Sequence, residues 1–228
     1  MSWYQIPEPL RSVTPLQIAL GLTALSVVML VIQDRRFSLV ALLMQYVLLG
    51  SLIEARVYSY LVIARLGLGI AICLMLYISA TRVQHDLREL RATGATERHS
   101  WPMPLARGML GTELAELPPV FRLLAMCLGA LIAYGLWRAY PLLFIPQEIA
   151  ITSYGLIAIG LLLTLTSLDP LRMGIGLLTF MNGFVALYLF LEQSLLVMTL
   201  VGVIEIILTV GIVVCTEAWL ESLKEVTV

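Results

Sequence analysis

The chain has 228 residues, of which 60% are hydrophobic and 13% charged, and its net charge is −1. A soluble domain is usually about a quarter charged, so the composition is that of a polytopic membrane protein. The near-zero charge and the lack of a basic stripe argue against nucleic-acid binding. Cys73, Cys127 and Cys215 all lie in apolar segments, with no CxxC or Cys/His grouping. No disulfide framework, zinc site or iron–sulfur site is encoded, and no metal or cofactor is expected. The first residues are polar and carry prolines, so no cleavable signal peptide is expected.

Seven apolar spans are predicted, over 16–32, 37–53, 57–80, 120–137, 149–167, 171–191 and 195–215. A bilayer core offers no water to unpaired backbone groups, so helices are the default. The predicted fold is an all-α polytopic membrane protein. It divides into a first three-helix bundle (1–80), a cytoplasmic connector (81–118), a fourth span with its outer loop (119–148) and a last three-helix bundle with a cytoplasmic tail (149–228).

Arginine placement orients the spans. One side collects Arg35, Arg36, Arg82, Arg88, Arg91, Arg98, Arg107, Arg122, Arg172 and Lys224; the other has Arg11, Arg56 and Arg138. The positive-inside rule then puts the amino terminus outside and the carboxyl terminus in the cytoplasm. The connector begins with a charged helical stretch over 83–92, read as a solvated surface helix or as a docking strip for a partner subunit. His85 and His99 lie there without ligand-spaced neighbours, so they are read as exposed histidines.

The first and last triplets share a layout. Each has a corner with Asp and Arg (Asp34-Arg35-Arg36; Asp169-Pro170-Leu171-Arg172), then an opposite corner with Glu54 or Glu192. The reading is two parallel three-helix repeats or a chance likeness of apolar helices; repeats of this kind often enclose a site.

The candidate chemistry is deep in the last two spans. Glu205 is the one ionisable residue of 195–215. At 1.5 Å per residue it lies about 15 Å deep, and Asn182 about 16 Å deep. Both fall near the middle of a core about 30 Å thick. Burial disfavours a carboxyl's charge, so Glu205 could hold and release a proton. Asn182 could hydrogen-bond it or hold a water beside it, and Thr209 lies one turn along the same face. The alternative is a protonated Glu acting as glue between helices. In the first half, Gln45, Glu54 and Arg65 are secondary polar candidates. Arg65 is read as snorkelling outward, or as paired with Glu54 or with a partner subunit. Small residues at Gly67, Gly69 and Ala71, and at Gly174, Gly176 and Gly183, permit close helix approach.

The run Asp169-Pro170-Leu171-Arg172-Met173-Gly174-Ile175-Gly176-Leu177-Leu178-Thr179-Phe180-Met181-Asn182-Gly183, followed by Glu205 in the next span, resembles the small membrane subunits related to NADH–quinone oxidoreductase chain 4L. The length and the extra amino-terminal spans look more like hydrogenase-4 component E; the small C subunit of multisubunit cation/proton antiporters is a related likeness. Leu178 stands where chain 4L carries its first glutamate, and Met181 where hydrogenase-type members carry a carboxyl. Glu205 matches the second family position. The resemblance implies a non-catalytic subunit of a hydrogenase or complex I-like respiratory complex. Its implied partners are antiporter-like membrane subunits and other subunits of that complex, and its role is proton or cation translocation. A free-standing small secondary transporter and an assembly scaffold are the alternatives. The lack of a transit peptide points to a prokaryotic inner membrane.

Overall fold

A computed structural model describes residues 15–31, 35–54, 59–96, 119–140, 145–167, 169–191 and 194–227. Among them the protein is all-helical, with seven helices: α1 (Pro15–Val31), α2 (Arg35–Glu54), α3 (Ser59–Thr96), α4 (Pro119–Ala139), α5 (Gln147–Thr166), α6 (Pro170–Leu191) and α7 (Leu195–Thr227). Proline sets several starts, since its fixed φ suits the first helical turn and its missing N–H costs nothing there. Pro15, Pro119 and Pro170 open α1, α4 and α6. At α6 the cap is explicit. The Leu171 N–H donates to Asp169 Oδ1 at 3.2 Å, and the Met173 N–H to the Asp169 carbonyl at 2.9 Å.

Two helices outrun the spans read from sequence. α3 continues through the 80/81 boundary to Thr96 as one 38-residue helix, so the charged stretch after 80 is its extension and not a separate element. The change of polarity there marks a change of surroundings; good helix formers follow, and no proline interrupts them. α7 likewise carries the polar tail to Thr227. The extensions meet where Arg82 and Glu217 approach to 3.9 Å. The connector from 97 to 118, with His99, lies outside the described residues.

Among the described residues, four stretches are long and apolar enough to cross a membrane: Val62–Asp86, Gln147–Thr166, Pro170–Tyr188 and Leu196–Ser222. Shorter apolar helices are Gln17–Leu30, Phe37–Ser51 and Leu124–Ala139. Outward faces are apolar too, as at Leu20, Val40, Ile70, Leu131, Leu165 and Ile207. Helices apolar on all sides suit a protein core or a membrane.

α1 packs against α5, α2 against α6 and α3 against α7, so each helix of the first triplet touches its counterpart in the last. The closest pair is α5 with α6. There a Cβ on Gly160 would run into the Phe180 backbone nitrogen. One on Gly176 would come 2.7 Å from the Thr164 nitrogen, and one on Gly183 2.8 Å from the Ser153 carbonyl oxygen. Gly67 of the sequence-derived small patch faces open space, whereas Gly69 makes room for the Tyr46 ring.

Inside, two apolar layers form. One holds Met29, Leu42, Ile72, Leu163, Leu178 and Ile212. The other holds Leu22, Leu49, Val62, Ile149 and Val185. Between them in sequence, helix by helix, stand the buried polar residues Ser26, Gln45, Arg65, Ser153, Thr179, Asn182 and Glu205.

Substituting Ala at Gly160, Gly176 or Gly183 should cost about 1–3 kcal/mol each, because backbone cannot retreat from a new methyl as a side chain can. Gly135→Ala and Gly211→Ala, where a Cβ meets nothing within 4 Å, should be neutral. Thermal unfolding of the purified variants in detergent checks this contrast.

Candidate functional site: a charge pair within a buried polar layer

Arg65 and Glu205 lie on helices that pack together, α3 and α7. Their side chains are 2% and 0% exposed. Taking either ion out of water alone costs several kcal/mol, and here each supplies the other's partner. Arg65 Nη1 donates to Glu205 Oε2 at 2.9 Å, and Arg65 Nη2 donates to Asn182 Oδ1 at 2.6 Å. The two ends of the guanidinium thus join α7 and α6. The fixed fork of Arg suits this double engagement better than a lysine would. Tyr46 of α2 adds two contacts. Its hydroxyl reaches Glu205 Oε2 at 3.4 Å, and its ring centroid lies 5.0 Å from the guanidinium carbon. That cation–π contact contributes about 0.5–2 kcal/mol. Gly69, four residues after Arg65, is what lets the ring lie there: a Cβ would come within 2.6 Å of it.

Beside the pair runs an uncharged network. Gln45 Nε2 donates to Ser26 Oγ at 2.8 Å, and Ser26 Oγ donates to the Leu22 carbonyl at 2.9 Å. Thr179 Oγ1 lies 3.5 Å from Gln45 Oε1 and donates to the Ile175 carbonyl at 2.9 Å. Thr179 and Asn182 are three residues apart on α6, so one face of that helix serves both groups. Adjacent residues on α2 divide the same way, Gln45 toward the amide network and Tyr46 toward the charge pair.

Sequence reasoning singled out Glu205 and Asn182 for one depth, and both lie in this layer. Their relation differs from the expectation. Asn182 bonds Arg65, and Glu205 is half of an ion pair rather than a lone carboxyl. Arg65 does not snorkel; its head is enclosed. Thr209 is fully buried, but its hydroxyl donates to the Glu205 backbone carbonyl at 2.7 Å and not to the carboxylate. Gln45 belongs to the uncharged network. Glu54 ends α2, and its side chain lies outside the described residues. The sequence reading missed Tyr46, Ser26 and Thr179. The available signals were the i, i+3 spacing of Thr179 to Asn182 and the glycine one turn from Arg65.

Three polar atoms of the charged group have no hydrogen-bond partner among the described residues: Arg65 Nε, Asn182 Nδ2 and Glu205 Oε1. Buried polar atoms are nearly always satisfied, and sites of exchange and bound water are a usual reason for exceptions. Among the described residues no three His, Cys, Asp or Glu side chains gather as a metal site would require. Comparison with protein-family models, characterised proteins and solved structures finds no match to this chain.

The two halves of the pair should differ when removed. Arg65→Gln leaves a carboxyl that can take up a proton and become neutral. Glu205→Gln leaves a guanidinium that cannot lose its charge. Breaking a buried pair costs about 3–5 kcal/mol, and Glu205→Gln should lie at the upper end with Arg65→Gln clearly below it. Unfolding of both variants in detergent tests the order.

Proposed function

We propose that this chain is an integral membrane subunit of an energy-converting complex of the hydrogenase or complex I-like kind. In this reading the Arg65–Glu205 pair takes part in moving protons or cations through the assembly. The observation that carries the reading is the enclosed pair itself, held in a polar layer between two apolar ones. Ionisable residues at membrane depth are costly and are a default sign of an ion pathway. The unpartnered atoms around the pair add support, because a purely structural ion pair gains most when every donor and acceptor is satisfied. The resemblance around Asp169 to Gly183 and Glu205 supplies the class of complex.

Seven spans are proposed, with the amino terminus outside and the carboxyl terminus in the cytoplasm, in a prokaryotic inner membrane. The polar extensions of α3 and α7 then project into the cytoplasm. Antiporter-like membrane subunits and the redox subunits of the complex are the proposed partners.

A second reading is favoured by one observation: the pair and its neighbours tie together α2, α3, α6 and α7. The same contacts would serve an assembly scaffold in which Glu205 only holds helices together. The double variant Arg65→Gln with Glu205→Gln separates the two. It removes both charges at once and leaves side chains that can still hydrogen-bond, so the assembly should survive. The proposed function gives a loss of ion translocation of roughly tenfold or more, as expected when a positioned proton carrier is removed. Normal translocation by an intact assembly would leave the scaffold. Mild-detergent purification with mass spectrometry should recover antiporter-like and redox subunits. Recovery of the chain alone would direct attention to a free-standing transporter.

A further inference from the structure

We infer that Arg65 is the resident cation of this site, and that the site therefore takes up a proton at Glu205 and excludes alkali-metal cations. The inference rests on the reading that the pair takes part in ion movement, and it identifies the ion. A hard metal cation needs a shell built of oxygens, about six or more for calcium or magnesium. The two side-chain oxygens best placed to start such a shell, Glu205 Oε2 and Asn182 Oδ1, are already held by Arg65 Nη1 and Nη2 at 2.9 and 2.6 Å. What is left unpartnered is mostly of the wrong kind. Arg65 Nε and Asn182 Nδ2 are donors; Glu205 Oε1 is the one acceptor of this group left unpartnered among the described residues. A second cation would face a guanidinium with no solvent to screen it, since Arg65, Asn182 and Glu205 are all enclosed.

A proton meets none of these obstacles. A hydronium gives its proton to Oε1, forming the neutral acid and leaving water; release reverses the step. Oε2 stays an acceptor for Nη1 throughout. The site then carries one net positive charge, and that charge must be held while the carboxyl is neutral. Asn182 Oδ1 and the face of the Tyr46 ring are already in contact with the guanidinium for that purpose. They are positioning residues, acting on Glu205 through Arg65. A water donating to Oε1 would satisfy that oxygen and present the proton. The charged and titratable groups against Glu205 are Arg65 on α3 and Tyr46 on α2; the buried Cys73, two turns further along α3, acts on Tyr46, and α6 presents the uncharged Asn182 to Arg65.

Dicyclohexylcarbodiimide, which reacts with protonated carboxyls in apolar surroundings, tests this in native membranes with mass spectrometry of the Glu205 peptide. In the wild-type chain, labelling should rise as pH falls and should be unaffected by Na+ or K+ at constant ionic strength. Arg65→Gln should label roughly tenfold faster or more at neutral pH, because the guanidinium no longer occupies Oε2 and shields the carboxyl from the reagent. Asn182→Leu should label roughly tenfold more slowly, because the guanidinium loses its second holder. Protection of wild-type Glu205 by Na+ or K+ would overturn the inference. So would labelling that neither pH nor Arg65→Gln changes. An assembly that pumps normally without both charges would remove the functional reading while leaving cation exclusion intact, so the two failures are distinct.

Discussion

Two opposite charges buried against each other constrain the rest of this bundle. Neither Arg65 nor Glu205 could be enclosed alone without a penalty comparable to the whole stability of a small domain. Their union requires α3 and α7 to meet at one register, since a shift of one residue on either helix would turn the side chain by about 100°. Asn182 and Tyr46 then fix α6 and α2 against the same point. The apolar layers on either side can be built from many combinations of Leu, Ile and Val. The polar layer cannot, because each donor that is paired in it needs its acceptor at one distance.

This explains where the glycines lie. Gly69 admits the Tyr46 ring to the guanidinium. Gly160, Gly176 and Gly183 draw α5 onto α6 until backbone meets backbone. With little hydrophobic drive between helices in lipid, such close packing and a few hydrogen bonds are what hold a membrane bundle together. The central pair therefore serves packing, and the Glu205 Oε1, Asn182 Nδ2 and Arg65 Nε atoms left unpartnered among the described residues are what that role leaves unexplained.

Much of the architecture was legible in the sequence. Apolar runs and their charged corners located the seven described helices, and counting residues along the last two spans singled out Asn182 and Glu205, which both bond Arg65. What was not legible was pairing between helices far apart in the chain. Arg65 and Glu205 are separated by 140 residues, and no local pattern states which helices adjoin. From sequence, Arg65 reads as snorkelling outward or as paired with Glu54 or with a partner subunit, since Glu54 is its nearest acid along the chain. The helix lengths past 80 and 215 were missed for another reason: hydropathy marks the edge of an apolar environment, whereas a helix ends only where residues stop it. Tyr46 escaped notice because an aromatic in an apolar span is ordinarily packing. Its role emerges only once Gly69 and Arg65 are placed against it.

The most direct measurement of the central claim is a charge exchange. Arg65→Glu alone would bury two carboxylates together, and Glu205→Arg alone two guanidinium groups. The account requires each single reversal to prevent stable accumulation in the membrane, and the combination of both to restore it at least in part. Single reversals that accumulate as the wild type does, or a combination no better than either alone, would contradict a direct pairing of these two residues.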